Sequence, residues 1–193
     1  ISNIESRKFV HKLRSEYDAV LVGAETVLAD NPFLNVRLAK GRNPHKVILD
    51  GKFRIKLKSK LFEERSEEKI FFFITQKSFQ LFPRKVREFQ KRNIEVIPLS
   101  SDKQSRFRLK NVLAILGERG VASILVEGGA YTSSQFLKQR LADKVLLFIA
   151  PLVLGKGKEV FQGLKNSSLV SAYRFKNVSH RFFEQDIVFE GYL

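Results

Sequence analysis

The stretch Ala19-Val20-Leu21-Val22-Gly23-Ala24-Glu25-Thr26-Val27-Leu28-Ala29-Asp30-Asn31-Pro32 decides the fold. Four apolar residues in a row, with no polar alternation, predict a strand covered on both faces, as in a parallel sheet. Gly23 ends that strand. A short helix is expected over 24–30, stopped by Asn31-Pro32, because the residue before a proline is pushed out of helical geometry. In open α/β sheets ligands gather at the carboxyl ends of such strands, and Gly23 would let the backbone approach a ligand closely. Thr26 and Asp30, four apart, share a helical face. The stretch continues to Leu34, Val36 and Arg37, whose planar guanidinium suits phosphate. An ordinary strand–loop connection with a capped helix would read alike.

Outward from it, strand and helix alternate. Upstream, Ser2 and Glu5 form a capping-box pattern. Phe9, Val10, Leu13 and Tyr17 then recur at helical spacing. Downstream, Lys46–Asp50, Lys69–Thr75, Ile94–Leu99, Ser123–Glu127 and Lys144–Ala150 read as strands. Pro83–Arg92, Leu109–Arg119 and Tyr131–Arg140 read as helices, Pro83 sitting well in a first turn and Gly120 ending the second. Beyond residue 150 the alternation stops. Ala172–Val178 and Phe182–Glu190 are expected to form an antiparallel pair that makes the sheet mixed. The pattern is that of one α/β domain with helices on both faces.

Leu125-Val126-Glu127-Gly128-Gly129-Ala130-Tyr131-Thr132 is the second stretch that carries chemistry. A strand ends in a carboxylate, then two glycines, then a helix whose open N–H groups and positive dipole end suit a pyrophosphate. A strand-to-helix turn that needs glycine for its φ angles would look the same. A third stretch, Ala150 to Lys158, is a glycine loop with two lysines, more simply a mobile solvated loop. Neither G-x-G-x-x-G nor G-x-x-x-x-G-K-[ST] occurs. His11, His45 and His180 are scattered and belong to no motif.

The 193 residues, 44% of them hydrophobic, suit one globular domain. No apolar run approaches the roughly 18 residues of a membrane helix, and no secretory leader is visible. The absence of cysteine excludes disulfides, thiolate catalysis and cysteine-based zinc sites. With the histidines scattered, no metal is expected, and a reducing cytoplasm fits. A net charge of +15 would suit a basic, non-catalytic nucleic-acid-binding domain. The lysines and arginines are interspersed with acids, however, and no nucleic-acid motif is present. A surface that attracts phosphorylated small molecules explains the charge as well.

VLVGAETVLADNPFLNVR (20–37), ILVEGGAYTSSQFL (124–137) and IAPLVLGKG (149–157) together resemble the C-terminal reductase domain of the bifunctional riboflavin biosynthesis deaminase-reductase, over nearly the whole chain. The resemblance implies a three-layer dihydrofolate-reductase-like fold. It also implies NADPH-dependent reduction of 5-amino-6-(5-phosphoribosylamino)uracil to its ribitylamino product, in a homodimer acting on a phosphorylated pyrimidine, with no nucleic acid or membrane partner. A related reductase of another pyrimidine or pterin is the alternative. Within the family pattern Thr26, Asp30 and Gly51 match cofactor-contacting positions, as do Gly129, Ala130, Tyr131, Thr132, Ser133, Ser134 and Gln135. Arg14, Leu34, Arg37 and Glu127 match substrate-contacting positions. Asp30 and Glu127 are the carboxyl groups placed for proton transfer. Thr75 to Lys77, at another strand tip, would face the 2′-phosphate of the cofactor. The family opens this domain with a strand carrying a serine-x-aspartate-glycine element, after a zinc deaminase domain. This chain starts after both, so residues 1–193 are expected to be a single reductase domain lacking its first strand.

Overall fold

The computed structural model describes residues 2–63, 67–157, 159–164, 168 and 170–193. Its elements in chain order are α1 (Ile4–Glu16), β1 (Ala19–Gly23), α2 (Ala24–Asp30), β2 (His45–Leu49), β3 (Ile70–Thr75), α3 (Gln76–Leu81), α4 (Pro83–Gln90), β4 (Ile94–Leu99), α5 (Leu109–Glu118), β5 (Ile124–Val126), α6 (Ala130–Lys138), β6 (Lys144–Ile149), β7 (Lys176–Phe183) and β8 (Asp186–Tyr192). Five strands form a parallel sheet in the order β4-β3-β2-β1-β5.

The apolar run of β1 is explained by its place inside this sheet. Ala19, Val20, Leu21 and Val22 are all fully buried. Successive side chains leave opposite faces of a strand. Val20 and Val22 therefore pack with Val27 of α2 and with Val86 and Phe89 of α4. Ala19 and Leu21 pack with Val112 and Leu116 of α5 and Phe136 of α6. β3 divides its phenylalanines the same way, Phe72 to the first face and Phe71 and Phe73 to the second. Phe72 meets Phe89 edge to face at 5.2 Å. Each such buried ring contributes about 1.5–3 kcal/mol. The expected α/β architecture with helices on both faces is the one found.

Four local expectations are corrected. The N-cap of α1 is Asn3, not Ser2: its side chain accepts from the Ser6 amide at 2.8 Å. Asp186 fixes the same turn from across the molecule, accepting from the Asn3 amide at 2.8 Å and the Ser6 hydroxyl at 2.7 Å. The C-terminal hairpin sits later than its alternation implied, because it turns at Glu184-Gln185, with Glu184 at φ +53°. Without an Asn-Gly or Asp-Gly pair, that two-residue loop carries no strong sequence signal. α3 was not expected; Thr75 caps it by accepting from the Ser78 amide at 3.0 Å. α6 ends at Lys138, and Arg140 takes the left-handed conformation, φ +51°, that glycine usually supplies.

The larger departure concerns the last three strands. They form their own antiparallel sheet, in the order β6-β8-β7, instead of extending the parallel one. α1 covers it, Phe9 and Leu13 packing with Val188, Leu146 and Phe148. β5 pairs on one side with β1, and β6 on one side with β8. Their other edges flank a cavity of about 750 Å³ that is also lined by α1 and α6. Ile124, Leu125 and Val126 are only half-buried, unlike the β1 residues beside them. Among the described residues no strand joins the two sheets, and no helix is long and apolar enough to cross a membrane.

Candidate active site

The carboxyl tips of β1 and β2, the segment after β4 and one side of α6 surround a cleft of about 930 Å³. Two glycines shape its rim. Gly128 at φ +63° and Gly129 at φ +74° turn the chain from β5 into α6 through left-handed geometry that other residues adopt only with strain. The turn lies against Thr26: a Cβ on Gly128 would come within 2.9 Å of Thr26 Cγ2, and one on Gly129 within 3.1 Å of Thr26 Oγ1. Gly23 is equally tight, but the group against it is Thr132, whose hydroxyl would be 2.6 Å from an added Cβ. Gly23 lines the cleft, as expected, and its missing Cβ also permits the close approach of Thr132. α6 starts with no side-chain cap, so its first amides and the positive end of its dipole are open.

Beside this rim is a polar cluster built from α1, β5 and the loop after α2. Arg14 donates Nε to Glu127 Oε1 at 2.6 Å and Nη2 to Oε2 at 2.7 Å, and its Nη1 donates to the Asn35 carbonyl at 3.0 Å. The Arg14 and Glu127 side chains are 11% and 19% exposed. Arg37 extends from the same loop. Its amide donates to His11 Nδ1 at 3.1 Å and its Nη1 to Asn35 Oδ1 at 3.1 Å. Burial, then the nearby charges of Arg14 and Arg37, hold the His11 imidazole below its ordinary pKa. His11 is thereby a fixed acceptor under the loop.

The expected site residues divide accordingly. Thr26, Gly51, Gly129, Tyr131, Thr132 and Gln135 line the large cleft. Ala130, Ser133 and Glu127 line the cavity between the sheets instead, with Gly129 common to both. Ser134 is fully buried and donates its hydroxyl to the Ala130 carbonyl, so its side chain is spent within the helix. Leu34 is buried in the core at φ +58°. Asp30 lies one turn beyond Thr26 on α2, exposed and with no polar partner among the described residues, outside the lining of the cleft. Thr75 to Lys77 do not line it, Thr75 being occupied as the cap of α3. In the glycine loop Leu152 to Leu154 are exposed, and Lys158 lies outside the described residues.

Three residues escaped the sequence reading. Asn35 bridges Arg14 and Arg37, its carbonyl accepting from Arg14 Nη1 and its Oδ1 from Arg37 Nη1. Arg106 and Arg108 line the large cleft from the segment after β4, part of which reads simply as polar loop. Among the described residues no group of three or more His, Asp and Glu could hold a metal ion.

Residues 1–189 match the family model for the RibD C-terminal domain. The chain is 35% identical over 161 residues to the riboflavin biosynthesis protein RibD of Aquifex aeolicus, covering 83% of this chain and 42% of that one. It is 31% identical over 169 residues to the 2,5-diamino-6-ribosylamino-4(3H)-pyrimidinone 5′-phosphate reductase of the same organism, covering 84% and 72%. Against the Actinobacillus pleuropneumoniae RibD protein it spans 50% of the relative's length. Among solved structures, it superimposes on a diaminohydroxyphosphoribosylaminopyrimidine deaminase/5-amino-6-(5-phosphoribosylamino)uracil reductase of Thermotoga maritima with a TM-score of 0.79 at 35% identity, covering all of this chain and 49% of that one. For the yeast riboflavin biosynthesis reductase Rib7 the TM-score is 0.77 at 26% identity, covering 97% and 80%. The chain therefore belongs to the RibD C-terminal domain family and has its dihydrofolate-reductase-like α/β fold.

Proposed function

We propose that this domain is an NADPH-dependent reductase of 5-amino-6-(5-phosphoribosylamino)uracil that forms the 5-phosphoribitylamino product of riboflavin biosynthesis. The observation that carries the reading is the meeting, at Glu127-Gly128-Gly129, of a dinucleotide-sized cleft and a guanidinium cluster. The open first turn of α6 and the glycine rim fit a pyrophosphate. When bound, the nicotinamide supplies the hydride. The chain's own residues orient and neutralise. Arg14 has five N–H donors; Glu127 and Asn35 take three of them, leaving two for the ribose phosphate. Arg37 adds a second guanidinium with, among the described residues, one donor engaged by a side chain. In the substrate the C1′–O4′ bond breaks, O4′ takes a proton, and C1′, doubly bonded to the amine nitrogen, accepts hydride. Asp30 and Glu127 are the carboxyl groups offered for that proton: Glu127 has both oxygens held by Arg14, and Asp30 has no polar partner among the described residues but lies outside the lining of the cleft.

Relatives whose names specify the diamino-pyrimidinone phosphate give a second substrate with the same phosphoribosylamino half, differing at the pyrimidine. NADPH oxidation measured with each compound decides between them. Consumption of NADPH with neither removes the reductase reading. Asp30→Asn is expected to lower turnover more than NADPH affinity, and unchanged turnover would remove its proton-transfer role.

The active form has, on this reading, an extended segment filling the cavity between β5 and β6. It is a cytoplasmic homodimer, for which the exposed Leu152, Val153, Leu154 and Phe182 supply apolar surface. Its cationic surface serves phosphorylated metabolites rather than nucleic acid.

A further inference from the structure

The charges around the large cleft are unevenly paired. Five cations line it: Lys52, Arg54, Arg106, Arg108 and Lys138. Arg54 is bound to Glu25 at 2.6 Å and Arg106 to Asp102 at 2.6 Å. Lys52, Arg108 and Lys138 have no ion pair among the described residues. The remaining carboxylate of the lining, Asp50 at the tip of β2, is 1% exposed and turned into the protein, its Oδ2 accepting from the Ile55 amide at 2.8 Å.

That withdrawal bears on which dinucleotide the cleft takes. Nucleotide sites that accept an unphosphorylated adenosine ribose present a carboxylate to its 2′-hydroxyl, and those that accept a 2′-phosphate present an arginine. Here the strand-tip carboxylate is hidden, and the facing wall carries arginines. That wall is preformed. Ser101 and Phe107 pair as an antiparallel bridge. Asp102 accepts from the amides of Gln104 and Arg106 at 2.9 and 3.0 Å and from Arg106 Nε at 2.6 Å. The turn presses on β2, because a Cβ on Gly51 would lie 2.2 Å from the Ser105 carbonyl oxygen. Gly51 therefore makes room for this turn.

We infer that Arg108, with Arg106 held beside it, binds the 2′-phosphate that distinguishes NADPH from NADH, and that Lys77 takes no part. This rests on the cofactor reading above and names the residues that make the choice. The test compares binding of NADPH, NADH, 2′,5′-ADP and 5′-AMP to the domain in a longer chain that carries the extended segment, and to its Arg106→Ala, Arg108→Ala, Arg108→Lys and Lys77→Ala variants, by titration calorimetry. A charge-assisted hydrogen bond lost from phosphate weakens binding about tenfold or more. Arg108→Ala and Arg106→Ala are expected to lose that factor for NADPH and 2′,5′-ADP while NADH and 5′-AMP are unchanged. Arg108→Lys keeps part of the preference, and Lys77→Ala keeps all of it. Equal losses for phosphorylated and unphosphorylated ligands, or the loss falling on Lys77→Ala, overturn the assignment. Equal binding of NADPH and NADH by the unsubstituted chain overturns it too and leaves the dinucleotide reading standing. Binding of neither dinucleotide overturns both.

Discussion

Arg14 of α1 and Glu127 at the end of β5 hold each other through two parallel hydrogen bonds, 2.6 and 2.7 Å long. The sequence places these residues 113 apart, and the family resemblance matches each separately to a substrate contact; in the fold much of each side chain is engaged by the other. The pair ties α1, which covers the antiparallel sheet, to the edge of the parallel one. Removing one partner strands a largely buried charge, at a cost of about 3 kcal/mol for a fully buried pair and about 2 for one that keeps this much solvent. Arg14→Ala and Glu127→Ala should each lower unfolding free energy by roughly 2 kcal/mol in urea titrations, and the double variant by clearly less than their sum. Strict additivity would mean that the two side chains are not coupled.

Gly128 and Thr26 make a second pair that substitution can separate. Gly128→Ala brings a methyl to within 2.9 Å of Thr26 Cγ2 at a φ of +63°. The left-handed backbone costs about 1 kcal/mol for a non-glycine residue, and the contact adds to it. Thr26→Ser removes the Cγ2 methyl. Thermal melts should show Gly128→Ala well below the parent and the Gly128→Ala/Thr26→Ser double variant partly recovered. No recovery would show that backbone strain alone sets the requirement for glycine.

Two aspartates give the domain opposing pH dependences. Asp18 accepts from Arg42 at 2.7 Å and from the Ala122 and Ser123 amides at 3.0 Å, which, with Arg42 foremost, holds its pKa at about 2. A depressed pKa stabilises above the ordinary carboxylate range of about 3.9 and is lost as pH falls toward the folded value. Asp50 is the reverse, because burial raises its pKa. Above its ordinary value the unfolded chain releases this proton first, so the contribution of Asp50 falls as pH rises. Melting temperatures followed from about pH 2.5 to 7 should fall less steeply on acidification in Asp18→Asn than in the parent. Asp50→Asn should gain relative to the parent as neutrality is approached. An unchanged acid slope in Asp18→Asn would remove Asp18 from the account.

Local patterns carried most of this fold. The run Ala19–Val22 identified a doubly covered strand because burial on both faces leaves no room for polar alternation. Asn31-Pro32 placed the end of α2 because proline acts on its immediate neighbour. The relation between the two sheets was not visible, since pairing across many residues is not written in the period of either strand. In the site, Gly128-Gly129 was readable from its φ requirement, whereas the role of Gly23 depended on Thr132 arriving from more than a hundred residues away. Arg106 and Arg108 were hidden for a related reason: a turn folded on Asp102 has the composition of any solvated loop.

The cavity between β5 and β6 leads to the last prediction. In the parallel ladder the Ser123 carbonyl and the Glu127 amide bond to β1, to Ala19 and Leu21 respectively. By the alternation of such ladders, the backbone groups of Ile124 and Val126 point the other way, into the cavity. On the far wall β6 uses one edge for β8 and turns its other edge to the same space. Buried strand edges without partners are costly, and half-buried apolar side chains such as Leu125 and Leu146 line the gap. An extended segment with alternating apolar residues would pair with both edges and make the two sheets continuous. Hydrogen exchange should therefore find the Ile124 and Val126 amides of this chain fast, against slow Leu21 and Val22 in the covered β1. A longer version carrying such a segment ahead of α1 should slow Ile124 and Val126 by orders of magnitude, toward the protection of the core. If the longer chain leaves those two amides as fast as before, the segment does not enter the gap. If they are already as slow as β1 in this chain, the gap is closed by other means and needs no strand.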